Sequence, residues 1–252
     1  MVAVLWLLAA GLSLGCGATL PDVGDGTFIE ACLREHNGAR AGVRPPATDM
    51  TRMSWDAGLA AIARSWARRC VFQHSPGPSE HPRFSSLGEN LWVGAPPSHF
   101  SVSLAIGGWV NETRDYSYHT DSCRPGRMCG HYTQVVWARS NRVGCAVHLC
   151  PNGIQQTGFS SQPGANFVCN YGPAGNVIGQ KPFRTGGAAC SECEASAACD
   201  ERLCGGGRDP DRAEASGSGV VSVLIIRPVA LLGAVIAAVA VKHFYPDVFC
   251  YD

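Results

Sequence analysis

Thirteen cysteines constrain this chain more than any other feature of its sequence. A protein with so many thiols folds where disulfides form and persist, in an oxidising compartment. The N-terminus agrees. Residues 2–14 are almost wholly apolar, and the small residues Cys16-Gly17-Ala18 follow, the pattern of a signal peptide over residues 1–18 cleaved near Ala18. The apolar run is short for a membrane span, which disfavours an uncleaved anchor. Cleavage removes Cys16 and leaves twelve cysteines. Four of these, Cys190, Cys193, Cys199 and Cys204, crowd into an appendix of residues 181–206 that has almost no apolar side chains. Such a segment holds no core of its own and depends on its bridges for order. Spacing leaves their connectivity open. A four-cysteine zinc site is the weaker alternative, because an oxidising lumen favours disulfides.

The C-terminal part has a different composition. Residues 207–219 are rich in Gly, Ser, Asp and Arg and read as a flexible stalk. Residues 220–241 are apolar and long enough to cross a hydrocarbon core of about 30 Å as a helix. Arg227-Pro228 interrupts that stretch, at a cost of about 3 kcal/mol that snorkelling to the near interface reduces. A lipid-anchor signal at Ser216-Gly217-Ser218-Gly219 is the rival, but the chain ends in polar Tyr251-Asp252 rather than in an apolar tail. The expectation is a transmembrane helix over 220–241, an outside N-terminus and a cytosolic tail of 242–252 starting at Lys242-His243. Cys250 would then be cytosolic and reduced. The chain has 20 basic and 20 acidic residues and no long basic stripe, which argues against nucleic acid as a partner.

Residues 27–180 read as one folded domain. Residues 28–41 have helical spacing, with Ile29, Cys32 and Leu33 on one face, and Pro45-Pro46 bars its continuation. Residues 56–70 form the clearest helix, because Leu59, Ile62, Ala63, Trp66, Ala67 and Cys70 recur at steps of three and four. Ser54 or Asp56 is its N-cap. A third helix spans 101–113, with Ile106, Trp109 and Val110 inward. Strand-like runs follow at 132–137, 143–149 and 167–171, the first of them β-branched and aromatic. Helices first and antiparallel strands afterwards predict a layered α+β domain.

Ordered motifs run through this domain. Met53-Ser54-Trp55-Asp56 precedes Leu59-Ala60, and Trp66-Ala67, Cys70 and His74-Ser75 follow. Next come Gly88-Glu89-Asn90, Trp109 with Glu112, and the run Gly130-His131-Tyr132-Thr133-Gln134-Val135-Val136-Trp137. Cys169-Asn170-Tyr171-Gly172-Pro173 with Gly175-Asn176 closes the series. Together these resemble the CAP superfamily of cysteine-rich secretory proteins, antigen 5 and pathogenesis-related protein 1. The appendix and the C-terminal anchor are most similar to its glioma pathogenesis-related branch. The resemblance implies a three-layer α-β-α sandwich with the strands in the middle, followed by a disulfide-rich hinge. It implies the pairings Cys70–Cys150, Cys123–Cys129, Cys145–Cys169, Cys190–Cys199 and Cys193–Cys204. The animal venom members have a further bridge, whose positions here hold Leu87 and Gly172. That leaves Cys32 unpaired, a buried thiol on the first helix.

The resemblance also implies a cleft tetrad of His74, Glu89, Glu112 and His131. Neutral imidazoles at His74 and His131 are suited to zinc or another divalent cation, with the carboxylates orienting them, although no cofactor is required. Equally, two Glu–His pairs can simply satisfy one another. The expected function is a membrane-anchored extracellular module that binds a protein or lipid ligand. A metal-dependent hydrolase and a structural adhesion protein are the alternatives. No Ser-His-Asp or HExxH pattern is present, and Ser75 beside His74 does not by adjacency make a nucleophile. Asn111-Glu112-Thr113 is an N-glycosylation sequon next to the tetrad.

Overall fold

A computed structural model describes residues 20–76, 81–194 and 197–205. The expected signal peptide with Cys16, the stalk, the span over 220–241 and the tail with Cys250 lie outside the described residues. Among those described, no helix is long and apolar enough to cross a membrane.

Three helices open the domain, each started by a side-chain cap. Asp25 accepts hydrogen bonds from the backbone N–H groups of Thr27 and Phe28 and starts α1, Gly26–Ala41. Asp56 accepts from Leu59 and starts α2, Ala57–Ala67. Ser101 accepts from Leu104 and starts α3, Val102–Asn111. The buried residues of α1 are Phe28, Cys32, His36 and Arg40, a stripe of four-residue steps. The short strand β1, Ser54–Trp55, leads into α2, and β2 is Gly88–Gly94. A small hairpin, β3 Tyr116–Ser117 and β4 Ser122–Cys123, leads to the short helix α4, Gly130–Val135. The long strands β5, Arg142–Cys150, and β6, Gly164–Gly172, close the domain.

The main sheet has the order β1-β5-β6-β2. Only β1 and β5 pair in parallel; β5–β6 and β6–β2 are antiparallel. Strand alternation divides the packing. Cys145, Phe167, Cys169 and Tyr171 join Phe28, Cys32, Ile106, Trp109 and Val135 in the larger core, so α1, α3 and α4 cover one face. Ala146, Val168 and Leu91 join Ala63 and Ala67, so α2 covers the other. Gly144 lets α2 come close, since a Cβ there would lie 2.1 Å from the Ala60 nitrogen. The domain is thus a mixed α/β fold with helices on both faces of one sheet.

The run 132–137, expected as a strand, is not one. Residues 130–135 are helical, and Val136 through Ala138 turn away, all buried. A short buried apolar run has the same composition in either state, and here the partners of its backbone decide. Those partners come largely from Arg40, whose side chain has no solvent exposure. Its guanidinium donates to the carbonyls of Val135 (3.0 Å), Trp137 (2.7 Å), Ala138 (3.0 Å) and Thr51 (2.7 Å). The 56–70 stripe also ends early. The helix stops at Ala67, and Cys70 takes φ 51°, turning the chain toward the sheet.

Among the described residues five disulfides join Cys70–Cys150, Cys123–Cys129, Cys145–Cys169, Cys190–Cys199 and Cys193–Cys204. Among the described residues Cys32 is the free cysteine, buried, and burial first and Glu35 second push its thiol pKa up. The appendix is held by more than its bridges. Its hairpin of β7, Cys199–Asp200, and β8, Leu203–Cys204, docks on the body. The Cys204 N–H donates to the Met50 carbonyl at 2.7 Å and the Arg52 N–H to the Cys204 carbonyl at 2.8 Å. Leu203 enters the larger core.

Two outcomes follow. Arg40→Ala takes a donor from four carbonyls, two of which, Val135 and Thr51, have no other donor shown among the described residues, and should lower unfolding free energy by about 3–5 kcal/mol in denaturant titrations under oxidising conditions. The second concerns His36, whose pKa burial holds down to about 4 against an ordinary 6.5. The unfolded chain takes up this proton below 6.5 and the native one only near 4, so stability is lost as pH falls between them, by about 3 kcal/mol. In His36→Leu that part of the pH slope should vanish, whatever the variant's absolute stability.

Candidate functional site

A cleft of about 470 Å³ opens between the segment after α2, the start of β2, α4 and the loop after β6. His74, Glu89 and His131 line it. Glu112 stands behind His131 rather than in the wall. The four side chains form two imidazole–carboxylate pairs.

His74 reaches the cleft because the chain turns at Cys70 and the Trp66 indole donates to the Gln73 carbonyl at 2.8 Å. Its Nδ1 lies 2.9 Å from Glu89 Oε1, which also accepts from the Ser75 backbone N–H at 2.9 Å. The imidazole is 65% exposed while the carboxylate is 9% exposed, so the acid is the fixed partner. The hydrogen bond to Glu89, opposed by burial and aided by the carboxylate charge, raises the His74 pKa above its ordinary value. Glu89 Oε2 is buried without a hydrogen-bond partner.

His131 is the second residue of α4. Its Nδ1 lies 2.6 Å from Glu112 Oε1. Glu112 Oε2 accepts from the backbone N–H groups of His131 (3.0 Å) and Tyr132 (3.1 Å). One carboxylate therefore caps the helix and orients the ring it carries. Trp109 stacks on that ring, with centroids 6.3 Å apart and planes 12° apart. Ser75 contributes its backbone only; no hydrogen bond joins its hydroxyl to an imidazole among the described residues. Asn111 is exposed at the end of α3.

In a neutral ring whose Nδ1–H donates to a carboxylate, Nε2 keeps its lone pair. That is the orientation in which a histidine ligates a metal through Nε2 with a carboxylate behind it, so the donor chemistry of each ring suits a divalent cation. The hinge does not. The sulfurs of Cys190, Cys193 and Cys204 lie within 4.8 Å of one another, but each is already in a disulfide and offers no thiolate.

Some residues of the site carry no sequence signal of their role. The Asn90 amide donates to the His131 carbonyl (3.0 Å) and to the Tyr171 hydroxyl (3.2 Å). Tyr171 lies 2.9 Å from His36 Nε2, and His36 Nδ1 lies 2.7 Å from the Cys32 carbonyl. A buried chain of bonds thus runs from α1 to the cleft wall. Gln134 holds the far rim, its Oε1 accepting from Gly175 N–H at 3.0 Å and its Nε2 donating to Ser140 at 3.1 Å. Gly88 makes room for it, because a Cβ would lie 2.0 Å from Gln134 Oε1. Asn90 and Gln134 sit inside the sequence motifs, but only the fold shows what they touch.

Comparison with known proteins follows the same residues. The family model of CAP, the cysteine-rich secretory protein family, matches residues 33–171. Glioma pathogenesis-related protein 1 of Mus musculus is 41% identical over 270 residues, covering 100% of this chain and 98% of that protein. GLIPR1-like protein 1 of Bos taurus is 46% identical over 188 residues, 73% of each chain. The crystal structure of NaASP2 with Zn2+ aligns with a TM-score of 0.55 at 28% identity, covering 74% of this chain and 100% of that one. The chain belongs to the CAP family, in the branch of glioma pathogenesis-related protein 1.

Proposed function

We propose that the protein is an extracellular binding module, tethered to the membrane by residues 220–241, whose cleft holds a divalent cation and through it a protein or lipid ligand. The domain order is a signal peptide over 1–18, the CAP domain over 27–180, the hinge over 181–206, the stalk over 207–219, the span and the tail over 242–252. One observation carries the cleft reading: two imidazoles line one cavity, each turned by a carboxylate so that Nε2 is available. His74 and His131 are the ligands; Glu89 and Glu112 hold the Nδ1 protons and keep the rings from rotating. A bound cation would give the polar cleft a positive point at which an anionic or carbonyl group docks. The family's secretory character and the Zn2+ of the NaASP2 structure support this reading. The hydrolase reading would use the same two histidines to hold a metal and its water. Asn111, exposed, is the glycosylation site.

Calorimetry with zinc at neutral pH is the test. Glu112→Gln should weaken binding by about 10–100-fold, and the double variant His74→Ala, His131→Ala should abolish it. Affinity should fall as the pH is lowered, because an imidazolium has no lone pair to give, and the raised pKa of His74 places the onset above pH 6.5. Equal affinity in the double variant would leave the pairs a purely structural role. Peptide or ester cleavage lost with the same two histidines would favour the hydrolase. For the anchor, cells expressing a chain without residues 220–252 should release it into the medium, whereas the intact chain should stay with membranes; quantitative release of the intact chain would refute the tether.

A further inference from the structure

The α2 face of the domain is short of negative charge. No Asp or Glu occurs between Asp56 and Glu80, or between Asp121 and Glu192. Those stretches contain α2, β5 and β6. A chain that is neutral as a whole therefore has one helix and the two central strands without a single carboxylate.

On that face the cations gather. Arg64, Arg68 and Arg69 are exposed on and just after the last turn of α2. None forms an ion pair or side-chain hydrogen bond among the described residues, whereas Arg34, Arg52, Arg83, Arg124, Arg127 and Arg184 all have acidic partners. His148 adds to them from β5. Gly144 lies under Ala60, and Ala146 packs on Ala63 and Ala67, so alternation turns His148 to the same side, beside the end of α2. The Arg68 and Arg64 charges both act on its imidazole. Opposite it on β6 stands the neutral Asn166, bonded to the Ala67 carbonyl. Val23 also packs on this face, but the carboxylate of neighbouring Asp22 bonds the Gly24 N–H. Arginines near a helix C-terminus do favour the helix dipole. That accounts for cations at this end of α2, but not for the imidazole of His148 beside them on β5.

We propose that Arg64, Arg68, Arg69 and His148 form a docking surface for a sulfated polysaccharide, distinct from the histidine cleft. Arg64 and Arg68 are four residues apart and so lie in a row about 6 Å apart along the helix. A linear polymer with repeated sulfates matches such a row, and planar guanidiniums bond sulfate oxygens in pairs. The five disulfides put the domain outside the reducing cytosol, where sulfated polysaccharides are the polyanions at hand. A bilayer fits less well: Phe72 and Leu149, which follow the arginines and His148 in sequence, are only 40% and 44% exposed, and the more exposed Leu104, Met128 and Ile178 belong to other segments.

The test uses the full chain in neutral detergent, with heparin at 150 mM salt as the probe. The variant Arg64→Ser, Arg68→Ser, Arg69→Ser should raise the apparent Kd about tenfold or more, since each charge-assisted bond is strong. Arg34→Ser, Arg124→Ser, Arg127→Ser makes the same change in net charge elsewhere and should stay within about twofold. Heparin stripped of sulfate but keeping its carboxylates should not bind. In wild type, proton NMR should show the His148 pKa rising when heparin binds, because an anion offsets the burial and the two guanidiniums that hold it down. That rise should be absent in the Arg64/Arg68/Arg69 variant. Equal loss in the two triple variants would overturn the proposal, as would no binding by wild type. Displacement of heparin by micelles doped with phosphatidylserine, but not by dextran sulfate, would assign the face to a membrane instead.

Discussion

A guanidinium with no route to water must find all its hydrogen bonds inside the protein, and the position of Arg40 sets where much of this domain goes. It sits in the last turn of α1 and gathers carbonyls from Val135, Trp137 and Ala138 together with Thr51. Thr51 reinforces the junction, its hydroxyl donating to the Ala138 carbonyl. The Val135 carbonyl stands at the end of a very short helix, where the last carbonyls have no helical partner. At the other end of α4, Glu112 accepts the His131 and Tyr132 N–H groups. Six residues cannot sustain a helix alone. Here a cation closes one end and an anion the other, so tertiary contacts impose the helix and, with it, the placement of the His131 ring.

This explains which parts of the fold can be read from sequence. The helices α1, α2 and α3 carry their own signals, a cap and a stripe of apolar residues at steps of three and four. The strands β5 and β6 are long apolar runs with little choice. The run at 132–137 carries the opposite signal, since Val135, Val136, Tyr132 and Trp137 all favour strands. Its state is set by Arg40, nearly a hundred residues away, and no local pattern shows that. The strand β2 is hidden for another reason: Gly88-Glu89-Asn90 is polar where it pairs β6, because it forms the cleft wall. The tetrad is legible only through the family pattern. Periodicity would treat His74 as a loop residue and Glu112 as a helix end, and neither residue by itself suggests a partner.

The cleft is also tied to the core by polar groups. His36, Tyr171 and Asn90 lie in a dry interior, and each has its bonds met by the next. His36 must donate through Nδ1 to the Cys32 carbonyl, which makes Nε2 the acceptor for the Tyr171 hydroxyl. Tyr171 can then accept from Asn90, whose second amide hydrogen reaches the His131 carbonyl. Only the neutral His36 tautomer satisfies this order. A proton on His36 would put a second donor against the Tyr171 hydroxyl and leave that hydroxyl's own hydrogen without an acceptor. The wall that carries His131 is therefore fixed by a protonation state deep in the larger core.

The two faces of the sheet divide the labour of the domain. On one, large side chains such as Phe167, Trp109 and Tyr171 fill the space under α1, α3 and α4 and support the His131 half of the cleft. On the other, Gly144 and four alanines, Ala60, Ala63, Ala67 and Ala146, let α2 lie close, so its arginines face outward. The Cys70–Cys150 bond joins the end of α2 to the end of β5. That one bond fixes the separation of Arg68 from His148. It also anchors the start of the segment that bends back to place His74 against Glu89. The spacing of the cationic row and the position of one cleft imidazole thus share a single covalent constraint.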